Sequence, residues 1–402
     1  MPILKTFCPW ITPKTLPDFN DPLPAVRGFF DHYRTWIDNS QQTVIAFATG
    51  NGDHILNYRG PSGWDDTFDW ARHSAHAASD SGRMNHNLDW LKRCREGGER
   101  SYNPALAGPS FILSEQKMNY RKLAGIYQAF REEAQRRGVN LRVLEYLEPG
   151  PEFCECVWKT QRHPEAAQGV VDSPNTAGAL DVTAPLHAES AAYAAYPNGI
   201  QAGTITGDFV AGQTNAFTAD MKLDGVFLGN QFGLIGFWHP DNAPPATPQR
   251  REGVKRFFHN LRKAMGSRLV YWMDTYWPAD VEMEKWSMSL ENYGQLDAVM
   301  VSNFSVITER TQIESNVRSR LRVKEQLGGG PDTLFSVDFV DPWYWYRVYL
   351  DERKNYLFQH SMYQKVGKLC QGVSFFANDT FGHWVMPGPL AMTWEAVRKA
   401  HE

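Results

Sequence analysis

Eight short apolar runs, each ending in polar or acidic residues and separated from the next by helical spacing, constrain this chain more than any other feature. They cover residues 43–49, 110–114, 141–147, 224–230, 268–274, 296–303, 333–338 and 372–378. Strands buried on both faces read this way. Eight of them with intervening helices predict an α/β fold, a closed (β/α)8 TIM barrel. Barrels of this kind carry their chemistry at the C-terminal ends of the strands, so the ends of these runs are where function is sought.

The chain has 402 residues, more than the roughly 250 of a plain barrel, and no Ser/Gly linker or charge block divides it. One catalytic domain spanning 1–402 is therefore expected, with long loops inserted. The largest insertion, 149–206, falls between the third and fourth strands. That position sets it over the C-terminal face, with Tyr193 and Tyr196 as candidate contacts. Helices are expected at 25–38 (covering the barrel base), 85–95, 118–137, 208–222, 247–264, 279–293, 309–327, 351–368 and 389–400. Gly138 suits the left-handed position after the third of these, and Thr247-Pro248 reads as N-cap plus first-turn proline.

A net charge of −4 supplies no basic stripe, which argues against nucleic acid, and no apolar run approaches the ~18 residues of a membrane helix. Five scattered cysteines, an odd number, fit a reducing compartment better than a disulfide framework, and residues 1–10 do not read as a secretory signal. A cytoplasmic location follows as the expectation. No nucleotide fingerprint or nucleophile elbow is present, and Cys154, Cys156 and His163 lack a fourth ligand at a recognised spacing. No cofactor and no metal are expected.

The acids sort by strand end. Asp224 and Asp297 open their strands, which places them at the bottom of the barrel in structural roles. Asp274 and Asp338 come last in theirs. Alternation sets Val270, Trp272 and Asp274 on one face against Leu269, Tyr271 and Met273, and sets Ser336 with Asp338 against Phe335, Val337 and Phe339. With the all-apolar faces assigned to the helices, both aspartates point into the barrel mouth. Two carboxyls flanking one bond are what glycoside hydrolysis requires: one protonates the leaving oxygen, the other attacks or activates water. Glu145 and Glu148 have opposite parity and alternation does not settle which faces inward. Glu148, later and followed by proline, is the rim candidate and the first substitute for either aspartate.

Amides and aromatics gather at the same ends. Asn230, Gln231, Asn303 and Asn378 offer a donor and an acceptor each, which suits vicinal hydroxyls. Trp238, Trp272, Tyr276, Trp277, Trp343 and Trp384 offer flat apolar faces for sugar C–H groups, and Asp341 and Asp379 complete the binding shortlist. Among 14 Trp, this recurrence beside strand ends is hard to explain as core alone.

In segments 223–233, 271–277 and 375–382 the chain resembles bacterial (β/α)8-barrel glycoside hydrolases and hydrolase-like proteins. The resemblance is one of style and assigns no numbered family. It implies a carbohydrate substrate and a glycosidase activity. Retaining barrels with two aspartates two strands apart are the nearer analogy, because the fourth strand ends in Asn230-Gln231 where the best-known retaining barrels carry an Asn-Glu pair. A sugar or sugar-acid isomerase or lyase on the same fold, and a non-catalytic carbohydrate-binding barrel, remain as alternatives.

Overall fold

The computed structural model describes residues 2–11, 16, 18–49, 53–56, 58–68, 118–147, 170–171, 179–180, 182–183, 204–229, 245–273, 277–301, 310–338, 352–376 and 387–402. Eight strands close into a ring: β1 (Leu4–Ile11), β2 (Ser40–Phe47), β3 (Leu141–Leu147), β4 (Gly225–Leu228), β5 (Leu269–Met273), β6 (Ala298–Val301), β7 (Asp332–Asp338) and β8 (Gly372–Phe376). Each pairs parallel with its sequence neighbours, and β1 closes on β8. Carried once round the ring from Met273, the paired registers return to β5 eight residues nearer its start. That is the shear of a TIM barrel, and it tilts every strand.

Seven of the eight expected runs are strands of this ring. The eighth strand of the ring is its first, Leu4–Ile11, for which no apolar run was expected. Lys5, Thr6 and Pro9 interrupt its apolar run, and Pro9, which cannot donate to the ladder, pairs with Phe375. Residues 110–114 lie outside the described residues, and the ring closes without them. Because one strand is gained before 43–49 and one is lost after it, the insertion at 149–206 still falls between the third and fourth strands.

Helices cover the outside: α1 (Leu23–His32), α2 (Arg34–Asp38), α3 (Asp53–Leu56), α4 (Tyr120–Arg137), α5 (Thr206–Asp220), α6 (Pro248–Met265), α7 (Ala279–Lys285), α8 (Leu290–Tyr293), α9 (Arg310–Gln326), α10 (Glu352–Lys365) and α11 (Pro387–His401). The caps form as expected. Gly138 is left-handed after α4, and the Thr247 side chain accepts from the Arg250 N–H before α6. With β1 in place, α1 and α2 are the crossover to β2 on the barrel wall, and no longer a cover for its base. Phe29 of α1 packs edge-on against Phe130 of α4, and Trp36 of α2 stacks on Phe7 of β1. The helix expected at 85–95 lies outside the described residues.

Strand alternation divides the interior into two apolar regions. One is drawn from the strands and Ala48 just after β2, among them Cys8, Val44, Leu144, Tyr146, Phe227, Tyr271, Met273, Met300 and Leu334, and fills the ring. The other joins Phe7, Val143, Val270, Trp272, Phe335 and Val373 to the helices. This reverses the expected facing of β5: Tyr271 and Met273 point inward, whereas Trp272 lies behind the barrel against Phe258 of α6, ring centroids 5.3 Å apart. The physical reason is that the ring of such a barrel is itself a packed apolar core. An all-apolar face therefore does not mark the helix side, and the large indole goes to the roomier shell.

At the bottom of the barrel the residue just before an even-numbered strand caps its odd-numbered neighbour. Asp224 accepts from the Val143 N–H at 2.9 Å, Asp297 from the Val270 N–H at 2.7 Å, and the Gln371 side chain from the Thr333 N–H at 2.8 Å. Arg142 and Arg262 pair with the two aspartates. The structural roles expected for Asp224 and Asp297 are what the geometry shows. Asp297→Ala should cost about 1–2 kcal/mol, a charge-assisted hydrogen bond discounted for solvent screening. Denaturant titration would check this.

The insertion is stapled to the wall at one described point. The Val182 carbonyl accepts from the Gly207 N–H at 3.0 Å, and Thr183 Oγ1 accepts from Arg250. A Cβ on Gly207 would meet that carbonyl at 2.8 Å, so the close approach needs glycine. Both α5 and α6 begin at the C-terminal end of the strands, which puts the staple at the rim of that face.

Candidate functional site

The upper barrel interior is built on two aromatics. Trp10 near the end of β1 and Tyr146 near the end of β3 face inward and meet over the small Ala46 of β2, centroids 4.6 Å apart. Phe227 packs edge-on against Tyr146, whose hydroxyl lies 3.6 Å from the Met273 sulfur. A Cβ on Gly229 would fall 2.0 Å from that hydroxyl, so the residue after β4 must be glycine for the ring to sit there. Tyr146 is buried, whereas Trp10 is partly open. Trp10 escaped the sequence reading because its strand did. Below them, Ser374 donates to the Cys8 carbonyl, and burial pushes the Cys8 thiol up to about 12, which leaves it a packing group without nucleophilic character.

Asp338 is the last residue of β7, paired in register with Phe376, and shares its parity with Leu334 and Ser336 of the barrel interior. The expected separation of its strand from β5 by one strand is what the ring shows. On the ladder, Met273 is level with Met300 and Leu334. The shear lowers the ladder by about one residue per strand, which leaves Asp338 roughly 5 Å above Met273 along the barrel axis. The end of β7 and the exit of β5 thus open at neighbouring heights.

The inward facing expected for Asp274 finds no support in β5, whose alternate residues Val270 and Trp272 face the shell. Trp272 is also withdrawn as a sugar contact: it is fully buried behind the barrel. Trp277 packs, partly buried, against the shell core. Asp274, Glu148, Asn230, Gln231, Trp238, Tyr276, Asn303, Asp341, Trp343, Asn378, Asp379 and Trp384 lie outside the described residues, as do Tyr193 and Tyr196.

Glu145 faces the shell together with Val143 and Leu147, and it has a different occupation. Its carboxylate is wholly buried and accepts from the Thr49 N–H at 2.9 Å and from the Tyr127 hydroxyl, with His54 Nε2 at 2.9 Å. Burial, and then the Glu145 charge, hold the Tyr127 hydroxyl well above its ordinary range, so it stays a donor. This hub fixes the chain as it leaves β2. A second hub does the same after β5. There Arg320 of α9 donates to Glu282 of α7 at 2.8 Å and to the Trp277 carbonyl at 2.9 Å, while the Tyr293 hydroxyl donates to Glu282. Both hubs lie behind the barrel wall and hold connections at the C-terminal end of the strands. Neither reaches the mouth.

Among the described residues no three His, Cys, Asp or Glu side chains are placed to hold a metal ion, and no helix is long and apolar enough to cross a membrane. No family model matches the sequence, and no curated protein does. The chain is similar in structure to the glycoside hydrolase domain of PgaB (BpsB) from Bordetella bronchiseptica, at 11% identity and a TM-score of 0.49 over 98% of both chains. It is similar also to the alpha-galactosidase TtGalA from Thermus thermophilus, at 11% identity and a TM-score of 0.42. That match covers 98% of this chain and 61% of the galactosidase. These likenesses are of architecture and assign no activity or residue.

Proposed function

We propose that this chain is a glycoside hydrolase that cleaves an oligo- or polysaccharide at the C-terminal face of its barrel. The observation that carries the reading is the placement of Asp338: it ends β7, has the parity of the barrel interior, and stands at the catalytic end of a ring floored by aromatics. In this reading Asp338 is one of two working carboxyls. Asp274, two strands away, is its partner, and Glu148 is the first substitute. Which is acid and which is nucleophile or base follows from the separation of the carboxyls: about 5–5.5 Å implies retention, about 6.5–9.5 Å inversion. The amides and remaining aromatics after the strands hold the sugar hydroxyls and C–H faces, and the insertion at 149–206, stapled at the rim, walls one side.

The test is reducing-end release from a panel of oligosaccharides and aryl glycosides, run with and without EDTA. Turnover that persists in EDTA is the expected result, since the two-carboxylate mechanism needs no metal. Activity lost to the chelator would favour an isomerase or lyase, and saturable sugar binding without turnover would favour a non-catalytic binding barrel.

A further inference from the structure

We propose that Glu145 is a positioning residue for the reaction: from behind the wall it sets where the chain leaves β2 at the C-terminal face of the barrel. The inference rests on the glycosidase reading and deepens it by naming a group that acts on the site without touching the sugar. The ladder between β2 and β3 ends at the pair Phe47–Glu145. Odd-numbered amides of β2 face β3, as the Thr43 N–H does in donating to the Asn140 carbonyl. The next amide on that side beyond the ladder belongs to Thr49, and the Glu145 side chain accepts from it at 2.9 Å. One side chain thus stands in for a strand at the point where β2 runs out.

The start of α3 is tied to the same atom. His54 brings its Nε2 to 2.9 Å from Glu145 Oε1, the oxygen that accepts from Thr49. The His54 carbonyl in turn accepts from the Tyr120 hydroxyl at 2.7 Å. The other carboxylate oxygen accepts from the Tyr127 hydroxyl, which lies 3.5 Å from Thr49 Oγ1. On the opposite edge of β2 the Ala48 N–H donates to the Ile11 carbonyl at 2.7 Å. Residues 48, 49 and 54 are therefore held to β1, to β3 and to α4, and Ala48 belongs to the packed interior of the ring.

Stability alone does not call for a charge here. Glu145, Thr49, His54 and Tyr127 are all buried, and Val143 and Leu147, which share the outer face of β3 with Glu145, are apolar. Buried ionic groups often give way to well-packed apolar ones with no loss of stability. What an apolar side chain cannot do is accept from an amide. A charge-assisted hydrogen bond fixes both a distance and a direction. That matters at a strand exit, where this fold carries its chemistry and a misplacement of about 1 Å can cost about 10²-fold in rate.

The experiment compares Tyr127→Phe, which takes one donor from the carboxylate, and Glu145→Gln with Asp297→Ala, which removes a capping carboxylate at the bottom of the barrel. Melting temperature and Michaelis kinetics on the panel of oligosaccharides are recorded for each. Both hub variants should lose about 10–100-fold in kcat with KM little changed, whereas Asp297→Ala should lower the melting temperature and keep kcat near wild type. Equal kcat losses in hub and control variants, or wild-type kcat in both hub variants, would overturn the positioning role and leave the glycosidase reading standing. No turnover of any glycan by the wild-type chain overturns that reading and this role with it. Should the hub variants fail to fold, hydrogen exchange of the unmutated protein decides. A bound oligosaccharide should slow exchange in the peptide covering residues 46–56, and unchanged exchange there counts against the proposal.

Discussion

Asp338→Asn is expected to leave the barrel folded and to cut turnover of a natural oligosaccharide by about 10²–10⁴-fold, the range for losing a positioned proton-transfer group. The loss should be chemical rather than structural. Asp338 ends its strand, and asparagine keeps the size of the side chain while removing only its charge and its proton. The pattern of the loss then assigns the role. An acid matters little when the leaving group departs unaided, so a dinitrophenyl glycoside would be spared if Asp338 is the acid. Equal loss on both substrates would make it the nucleophile or base. Thermal melting of the variant separates either case from unfolding, and near-wild-type turnover on both substrates would sink the assignment.

The same variant in Asp274 carries less structural support, and the reason shows how far the sequence can be read. Alternation along β5 was legible, and so was the strand itself. Which face pointed inward was not, because a (β/α)8 barrel buries both: Tyr271 and Met273 pack the ring while Val270 and Trp272 pack the shell. In β7 the polar Ser336 broke the tie and the facing came out as expected. Helices such as α4 and α6 were legible because they bury one face, and their caps because Thr247-Pro248 and Gly138 are local signals, whereas the single helix expected at 279–293 is broken into α7 and α8. Strand β1 was hidden by Lys5, Thr6 and Pro9, and Trp10 was hidden with it.

What no local pattern exposes is a partner distant in sequence. Glu145 looked like one of two acids competing for the mouth. Its three partners, Thr49, His54 and Tyr127, come from other elements, and only the closed ring brings them onto the shell side. A buried carboxylate that accepts from Thr49 and Tyr127 and sits against His54 is a tie between elements, and its burial behind the wall keeps it from the mouth.

The hub around Arg320 supports the second large effect. Arg320 and Glu282 are both buried, and each is a charge that the low-dielectric shell tolerates only because the other is there. Arg320→Met leaves Glu282 without its counter-charge and the Trp277 carbonyl without that donor, and the expected loss is about 3–5 kcal/mol, the cost of breaking such a pair from one side. The Tyr293 hydroxyl still donates to Glu282, but a neutral donor does not replace a cation. Pairing Arg320→Met with Glu282→Leu removes both charges and should recover most of the loss, since well-packed apolar groups often replace a buried ion pair at little cost. The carbonyl is the part that the double variant does not restore. Trp277 follows directly on residues 274–276, so turnover should stay below wild type in the double variant even where the melting temperature returns. A double variant with wild-type turnover would mean that Arg320 holds only helices together, and that the exit of β5 keeps its place without it.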